Sequence, residues 1–589
     1  MIEARHIQDH TANSTVKKYW AYPDRILPCT KDAGTCAYLD SVYHSHEISM
    51  LYTFILWAVL GGVLMFMLSL RYGKSVSRSS DIKTPLRRGL DSIGSLGRRW
   101  MLSESPGRGV LGRVTLLQVT VLSALLGYLL IFSLVGVTYK TWITPTKNHP
   151  ELKTIRTGFG GWGDRVGALA YALTPLTIAL CSRESVLSLI TGIPYQHFNF
   201  LHRWTGRVIF IQSFLHTLVW TLVEGRFYQP QPETYTTFIK QKYIVWGIVA
   251  QIMITFLYIF STSWAIRLTG YEFFKKTHAL IGILYLGACW GHWDKLACWM
   301  IASLIIVLGD FGVRFLRTGL LHFGYRKGKP GLGFHSAIAT VQHYGDDEDS
   351  VRSGITAKLA QIARATGGDS CTTSVILTGP YGGSSTEESA DSNLLAVAGG
   401  TGVTSVLPTL QDTFTVAQTG TRAVDLVWIV RKIQDLSWIA PELTELKSWM
   451  SSGKADGLRL RIFVTREHTP AESSTSSTSS ISEKGKGCCS KRAKGEKNGI
   501  VVTSSNDLTA LQNNFSITYL GGSHPSIKDI VSDFSERTAI CGGRSQVIGA
   551  GPMEIGTALR SAVAKENHAG KVWQGDESGI MALEWDCRS

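Results

Sequence analysis

Cysteine is scarce in this chain, and its spacing argues against a cysteine-based metal site. Ten cysteines occur in 589 residues, and they lack the paired spacing of zinc or iron–sulfur ligands. Cys29 and Cys36 are close enough in the sequence to form a disulfide in an oxidising compartment. We interpret the adjacent Cys488 and Cys489 as solvated thiols or as palmitoylation sites.

Acidic residues are also in short supply relative to basic ones. The 45 Asp and Glu are outnumbered by 59 Lys and Arg, which gives a net charge of +14. This balance suits a cytosolic membrane surface and anionic cofactors, and because no nucleic-acid motif accompanies it we expect no nucleic-acid partner. No charged-then-apolar leader precedes residue 48, so we expect the first membrane crossing to act as its own insertion signal.

Long apolar stretches, by contrast, are frequent before residue 320. Seven of them have the length that crosses a bilayer, which predicts a multi-pass α-helical membrane domain with lipid around it. We place the crossings at residues 48–70, 114–137, 162–181, 199–223, 243–262, 275–294 and 296–316.

The basic residues predict the orientation of these crossings. The loop 71–113 contains ten Lys or Arg against three acidic residues, which places it in the cytosol by the positive-inside rule. The loop 138–165 argues the other way with a weaker bias, five basic against two acidic. We therefore expect an extracytoplasmic tail 1–47, with Asn13 as an N-glycosylation acceptor, and a cytosolic C-terminal half.

Four histidines lie inside the apolar segments in two pairs with the same spacing. His202 and His216 are 14 residues apart, and so are His278 and His292. Fourteen residues return to within about 40° of the same helix face and rise roughly 21 Å. Two such helices, side by side and parallel, offer two stacked bis-histidine sites of the kind that hold haem iron. A single histidine is more often a packing residue, but the repeated spacing favours haem ligands.

After residue 390 the chain alternates strand-like and helix-like segments, which predicts a doubly wound parallel α/β sheet. We predict strands at residues 394–398, 424–430, 458–464, 516–520 and 546–548. The first and last of them end in glycine-rich turns, whose backbone amides can approach a pyrophosphate. The candidate nucleotide-binding residues are Gly399, Gly400, Thr401, Gly402, Gly549, Gly551 and Pro552.

Two of these signals have an ordinary structural alternative. A Gly-Gly-Thr-Gly turn alone also fits a simple tight turn, and the second glycine-rich turn at the same edge of the sheet is what favours a nucleotide. Arg431 and Lys432 end the second strand, where a basic pair either binds a ribose 2′-phosphate or is merely solvated. Residues 471–498 are rich in Ser, Thr, Gly and Lys, and we expect a disordered insertion.

Together these motifs resemble the fungal ferric reductases, a metalloreductase family related to the NADPH oxidases. The resemblance extends from about residue 48 to the end. It is carried by the four histidines, Gly379-Pro380-Tyr381-Gly382, Ala398-Gly399-Gly400-Thr401-Gly402, Gly551-Pro552 with Met553 and Arg560, and Leu583-Glu584-Trp585-Asp586. It implies one-electron transfer from cytosolic NADPH through FAD and two b-type haems to extracellular Fe(III) or Cu(II) ions or chelates. Such activity serves iron and copper uptake at the plasma membrane or, alternatively, the vacuolar membrane.

The resemblance also implies a domain layout and residue roles. A haem domain spans 48–317, a truncated FAD-binding barrel 334–378 and an NADP-binding domain 379–589. His202 pairs with His278 at the inner haem and His216 with His292 at the outer one. FAD contacts are expected at Ser353, Gly354, Thr356, Gly379, Pro380, Tyr381 and Gly382. Near the inner ends, haem propionates or membrane anchoring account for Arg203, Arg207, Lys275 and Lys276.

One departure from the family bears on the chemistry. The family has a flavin-binding β-barrel with a His-Pro-Phe motif, whereas here about 60 residues separate Leu316 from Gly379 and the motif does not occur. Strands are missing at the junction of Arg352 and Ser353, through a skipped exon, a splice form or real loss. NADPH gives up two electrons as a hydride and a haem iron accepts one, so a flavin normally converts between them.

Three functions therefore remain open from the sequence. The first is a metalloreductase, which the extra N-terminal crossing and the external tail favour. The second is an NADPH oxidase that makes superoxide. The third is a catalytically impaired haem membrane protein, and the missing barrel supports it. Such a protein would form a homo- or hetero-oligomer with related reductases.

Overall fold

The computed structural model describes residues 13–78, 85–146, 149–193, 195–324, 333–342, 361, 370–379, 392–416, 422–455, 457–468 and 514–587. They fall into two compact units. The first unit is drawn from residues 1–80 and 120–383, and the second from residues 81–119 and 384–589. Residues 81–119 lie within the haem domain 48–317 that the sequence predicts, whereas their contacts join them to the second unit.

The helices of the described ranges follow one another along the chain. They are α1 (Ala33–Arg78), α2 (Pro85–Met101), α3 (Arg108–Leu111), α4 (Leu116–Leu134), α5 (Gly158–Ala179), α6 (Val186–Thr191), α7 (Asn199–Leu222), α8 (Glu233–Ile239), α9 (Lys242–Phe260), α10 (Ser263–Thr269), α11 (Tyr271–His292), α12 (Ala297–His322), α13 (Val403–Val416), α14 (Ala440–Ser451), α15 (Ile527–Cys541), α16 (Met553–Glu566) and α17 (Ala569–Trp573).

The strands, likewise in chain order, are short in the first unit and longer in the second. They are β1 (Thr15–Lys17), β2 (Arg25–Leu27), β3 (Thr141–Thr146), β4 (His149–Thr157), β5 (Phe323–Gly324), β6 (Gly333–Phe334), β7 (Ala337–Gln342), β8 (Ser370–Val375), β9 (Asn393–Gly399), β10 (Val424–Val430), β11 (Leu458–Val464), β12 (Phe515–Tyr519), β13 (Ser545–Gly551) and β14 (Met581–Cys587).

All seven apolar segments of the sequence lie in helices, but they differ in apolar character. Within the described ranges, five helical stretches are long and apolar enough to cross a membrane: Ala33–Arg71, Leu116–Leu134, Asn199–Phe227, Lys242–Phe260 and Asp294–His322. The other two segments form α5 and α11, which are 22 residues long each. Seven crossings therefore remain a prediction, of which five meet the length and composition of a membrane span.

The position of α5 explains its lower apolar character. The helix packs against α1, α7 and α12, and Leu169, Ala172 and Leu173 are fully buried. A helix that faces protein on most sides needs no lipid-facing surface and can carry polar groups. Its Arg165 is fully buried, and the guanidinium donates to Ser49 Oγ at 3.0 Å, which ties α5 to α1.

The external tail and loops are more structured than the sequence indicates. Strands β1 and β2 pair antiparallel, the expected Cys29–Cys36 disulfide is formed, and α1 begins well before the predicted crossing at residue 48. Strands β3 and β4 form an antiparallel hairpin in the predicted external loop 138–165. Tyr38 on α1 contacts Tyr228 through their hydroxyl groups at 2.9 Å.

The segment after α12 contains short strands in two antiparallel pairs, β5 with β6 and β7 with β8. His322 at the end of α12 joins this segment, since its Nδ1 lies 2.7 Å from the His335 carbonyl and its Nε2 accepts from the Leu377 amide at 2.8 Å. Among the described residues of 334–378, these pairs do not close into a barrel. Of the expected FAD contacts only Gly379 is described; Ser353, Gly354, Thr356, Pro380, Tyr381 and Gly382 lie outside the described residues.

The second unit contains a six-stranded sheet in the order β12-β11-β10-β9-β13-β14. Every neighbouring pair is parallel, which confirms the doubly wound prediction. Helices α13 and α14 cover one face, where Trp428 and Leu410 are fully buried, and α15 and α16 cover the other around Phe534. The chain reverses its winding direction between β9 and β13. Because ligands of such sheets bind where the winding reverses, this edge is the expected binding crevice.

Candidate functional site

The first unit brings the four histidines together in two pairs. The ring centroids of His202 and His278 are 6.2 Å apart, and those of His216 and His292 are 6.0 Å apart. Both pairs join α7 to α11 in the same sequence order, so the two helices run parallel. These are the pairings that the resemblance implies.

Backbone carbonyls hold three of the four rings. Nδ1 of His202 lies 2.8 Å from the carbonyl of Thr177, and Nδ1 of His216 lies 2.8 Å from that of Gly163. The Thr177 carbonyl is near the C-terminal end of α5, where the last carbonyls have no partner within the helix. The two carbonyls are 14 residues apart, as the histidines are, because α5 runs antiparallel to α7.

The outer ring on α11 is held in the same way by α9. Nδ1 of His292 lies 2.8 Å from the carbonyl of Tyr243. A carbonyl oxygen only accepts, so in these contacts Nδ1–H is the donor, and a neutral ring then has its lone pair on Nε2. Among the described residues His278 is the exception, since its Nδ1 is buried without a hydrogen-bond partner. Three rings are thus fixed in the tautomer that ligates metal through Nε2.

Two glycines make room for the outer rings. A Cβ at Gly167 would lie 2.9 Å from Nδ1 of His216, and one at Gly247 would lie 2.6 Å from Nδ1 of His292. Side chains essentially never approach that closely. The positions behind both outer rings therefore require glycine for the rings to keep their present hydrogen bonds.

The space between the helices fits a haem. Two metal–nitrogen bonds of about 2 Å, plus the radius of each imidazole of about 1 Å, give roughly 6 Å between ring centroids, as observed for both pairs. Helix α7 packs closely on α5 and α11 on α9, whereas α7 and α11 are not closely packed against each other. At Gly206 and Gly282, each four residues past an inner histidine, an added Cβ would meet nothing within 4 Å.

Basic residues lie near the inner histidines, as expected. Arg203, Arg207, Lys275 and Lys276 are all exposed. The guanidinium of Arg207 stacks over the Trp204 ring at 4.7 Å. This stacking suits a membrane-surface anchor, so these four residues keep both interpretations that the sequence leaves open.

The second unit brings the two glycine-rich turns together at the crevice. Strands β9 and β13 are neighbours, with Ala398 opposite Ala550. A Cβ at Gly402 would lie 2.2 Å from the Ala550 carbonyl oxygen, and one at Gly399 would lie 2.8 Å from Cδ of Pro552. These glycines, together with Gly551, are therefore needed for the two turns to touch.

Gly400 differs from its neighbours in the turn. Its φ is +55°, in the left-handed region that favours glycine, and a Cβ there would meet nothing within 4 Å. Its carbonyl accepts from Trp428 Nε1 at 2.9 Å, which fixes the turn to β10. Thr401 is exposed beside it. Gly400 is thus the turn residue with open space in front of it, as a phosphate approach requires. Gly549 instead packs under Trp585, where a Cβ would lie 2.8 Å from the indole ring.

The basic pair occupies the end of β10, next to β9. The Arg431 side chain is exposed, while its amide and that of Lys432 donate to Asp435 Oδ2 at 3.1 and 3.0 Å. The buried Asp435 carboxylate therefore fixes the backbone of this turn. Sequence reasoning missed Asp435, although an acidic residue a few positions after a strand end is a recognisable capping signal.

Sequence comparisons agree with this two-unit organisation. Residues 166–289 match the profile of the ferric reductase like transmembrane component, and residues 391–563 match that of the ferric reductase NAD binding domain. The first match includes three of the four histidines and ends before His292. The second includes both glycine-rich turns.

Curated fungal proteins are similar to much of the chain. The ferric/cupric reductase transmembrane component 2 of Saccharomyces cerevisiae is 25% identical over 448 residues, covering 68% of this chain and 58% of that protein. The ferric/cupric reductase transmembrane component 1 of Candida albicans is 24% identical, covering 51% and 44%. A probable cell surface ferric reductase of Aspergillus oryzae is 24% identical, covering 47% and 44%. The chain thus spans about half the length of these relatives.

Among solved structures, a flavohaemoglobin from Malassezia yamatoensis matches with 10% identity and a TM-score of 0.22, covering 72% of this chain and 96% of its own. At that score the likeness carries no argument about the fold.

The bundle of membrane-length helices and the NAD-binding domain define a membrane protein of the oxidoreductase class. The chain belongs to the fungal ferric reductase family.

Proposed function

We propose that this chain is a transmembrane metalloreductase that uses cytosolic NADPH to reduce extracellular Fe(III) or Cu(II) by way of two b-type haems. The observation that carries the proposal is the pair of facing histidine sites. In each site two rings stand about 6 Å apart, and three of the four rings have Nδ1–H directed at a carbonyl.

The four histidines would hold the two haems at different membrane depths. Haem iron with two imidazole ligands supplies one-electron transfer without an open coordination position. Fourteen residues separate the sites along each helix, about 21 Å by helix rise, which is a large part of a hydrocarbon core of about 30 Å. The backbone carbonyls of Gly163, Thr177 and Tyr243 would fix the orientation of the ligands.

The nucleotide proposal depends on the crevice between β9 and β13. The Gly400 turn offers its backbone at the N-terminal end of α13, where anions are favoured. Arg431, exposed at the end of the neighbouring strand, would bind the 2′-phosphate that distinguishes NADPH from NADH. Ser405 in the first turn of α13 donates to Asp586 Oδ2 at 3.3 Å, which connects the helix to β14.

The names of the relatives support the substrate and location. Two are called ferric/cupric reductases and one a cell surface ferric reductase. The disulfide in the N-terminal tail suits an oxidising outer side, and Asn13 is exposed as a glycosylation acceptor must be. We therefore propose the plasma membrane, with iron and copper uptake as the role.

A second candidate is a haem protein that binds both cofactors but is catalytically impaired, and the short segment after α12 favours it. A closed barrel needs more strands than about 60 residues hold once a helix is included. Without FAD, hydride transfer from NADPH has no two-to-one electron converter. In that case the chain would assemble with a related reductase that has a complete flavin barrel.

Reduction of a membrane-impermeant ferric chelate by sealed cells tests the first function. We expect NADPH-dependent reduction that is lost in His216→Ala and in His278→Ala. It should persist in His149→Ala, which removes an exposed histidine of the external hairpin. Superoxide without metal reduction would instead indicate an oxidase.

The purified chain separates the second candidate from the first. Haem that dithionite reduces and NADPH does not, with no FAD in the preparation, would select the impaired haem protein. FAD at one per chain together with NADPH-driven haem reduction would exclude it.

A further inference from the structure

Helix α2 has an apolar face that the described structure does not cover. Leu86, Leu90, Ile93, Leu96 and Trp100 recur at steps of three or four residues, which places them on one side of a helix. All five side chains are exposed, with accessible fractions between 48% and 75%. An apolar stripe of this kind on a folded unit marks an interaction surface.

The opposite face of α2 is fixed to the second unit by polar contacts. Ser95 is fully buried, and its hydroxyl donates to the Gly579 carbonyl at 2.9 Å. Asp91 forms an ion pair with Arg544 at 2.7 Å. Arg99 donates to backbone carbonyls of the same region. Because these contacts set the rotation of the helix, the apolar stripe is turned away from the unit that carries it.

The position of α2 in the chain keeps it close to the membrane. It lies between α1 and α4, both of which contain membrane-length apolar spans. Only six residues connect the end of α1 to the start of α2, and a linker of that length reaches at most about 20 Å. The stripe is therefore tethered within a short distance of a membrane crossing.

The charges of α2 match a lipid surface. The helix contains four arginines and one acidic residue, and it lies in the loop with ten basic groups against three acidic ones. Helices with arginines on the polar face and leucine or tryptophan on the other lie in the membrane interface. Anionic lipids of the cytosolic leaflet attract such basic segments.

A second copy of the chain fits this surface less well. A helix of 17 residues is about 25 Å long, and one face of it is well below the roughly 800 Å² per partner that stable protein interfaces bury. Bringing two copies together would also place their arginines close to one another.

We propose that α2 is an interfacial helix whose apolar stripe inserts into the cytosolic leaflet, with anionic phospholipid as its partner. The nucleotide-binding unit is attached to the polar face of the same helix. The stripe thus makes α2 a membrane anchor for that unit, additional to the crossings. This assignment does not depend on the chain being an active reductase.

Site-specific photo-crosslinking tests the proposal in the full chain. A photoreactive amino acid is placed at Ile93 or at Leu90 in the stripe, and as a matched control at Ile540. Ile540 is another exposed isoleucine of the same unit, 88% accessible and outside the stripe. The protein is reconstituted in bilayers of phosphatidylcholine and phosphatidylserine, irradiated and analysed by mass spectrometry.

We expect phospholipid adducts at positions 93 and 90, with a yield several-fold above that at position 540. An adduct within the same chain would show that another part of this protein covers the stripe, and a cross-linked dimer would show that a second copy does. Either result, or the absence of any adduct at positions 93 and 90, would overturn the proposal.

Discussion

Replacement of Gly247 by alanine should weaken the outer haem site and leave the inner one intact. The new Cβ would lie 2.6 Å from Nδ1 and 2.8 Å from Cε1 of His292, whereas ordinary contacts begin at 3.4 Å. The ring must therefore retreat by about 0.4 to 0.8 Å, given normal van der Waals separation. That movement stretches the bond of 2.8 Å from Nδ1 to the Tyr243 carbonyl.

The magnitude follows from the role of that bond. A neutral hydrogen bond contributes about 0.5–1.5 kcal/mol, and loss of the partner that orients a metal ligand typically lowers metal affinity by roughly 10- to 100-fold. Alanine is the better helix former by about 1 kcal/mol, so α9 itself should not be destabilised. We expect the outer haem to dissociate 10- to 100-fold more readily, with normal occupancy of the inner haem.

Haem titration of the purified variant, followed by low-spin absorbance, measures this effect. The matched control is Gly312→Ala on α12, where a new Cβ would meet nothing within 4 Å. The control should bind two haems like the parent protein. If Gly247→Ala also binds two haems with unchanged affinity, the position of the His292 ring does not determine the outer site. Equal losses in both variants would refute the reasoning as well.

Three further changes test other parts of the structure. Gly400→Val forces a β-branched residue to φ +55° at a cost of about 1–3 kcal/mol; NADPH affinity, measured by calorimetry, should fall about tenfold or more while haem content stays the same, and unchanged NADPH binding would remove this turn from the site. Asp425→Ala removes a fully buried carboxylate from three arginines and should lower the free energy of unfolding of the second unit by about 3–5 kcal/mol, whereas Asp533→Ala, 46% exposed in the same network, should cost under about 1 kcal/mol; equal melting shifts would contradict this. Arg165→Met leaves the Ser45 and Gly136 carbonyls without their donor and should lower the melting temperature of the first unit through a loss of about 2–5 kcal/mol, and an unchanged melting curve would show that the buried guanidinium contributes nothing net.

The helices and parallel strands were predictable because their signals are local. An apolar run of about 20 residues predicts a membrane-length helix whatever surrounds it, and the run 199–223 matches α7 (Asn199–Leu222) within one residue. Buried strands of a parallel sheet are apolar on both faces, so the run 424–430 coincides with β10. In both cases the pattern itself contains the boundaries.

Other elements were missed for identifiable reasons. The apolar residues of α2 are spaced at helical intervals within a polar loop, so a search for continuous apolar runs does not detect it. In the external hairpin, Pro145 and Pro150 weaken the strand signal. Strand β14 is short and mixed in polarity, and only its pairing with β13 makes it a strand.

The site was partly accessible to sequence reasoning. Spacing alone indicated which histidines share a helix face. It gave no information on the carbonyls of Gly163, Thr177 and Tyr243, because a backbone acceptor has no sequence signature. The steric need for Gly247 likewise depends on tertiary packing between α9 and α11.

The haem content of the purified chain and its histidine variants tests the central claim most directly. The account predicts two low-spin haems in the parent protein, one each in His216→Ala and in His278→Ala, and none in the double variant, since the two sites share no ligand. A colourless parent protein from haem-replete cells would contradict the account, as would loss of both haems, or of neither, in either single variant.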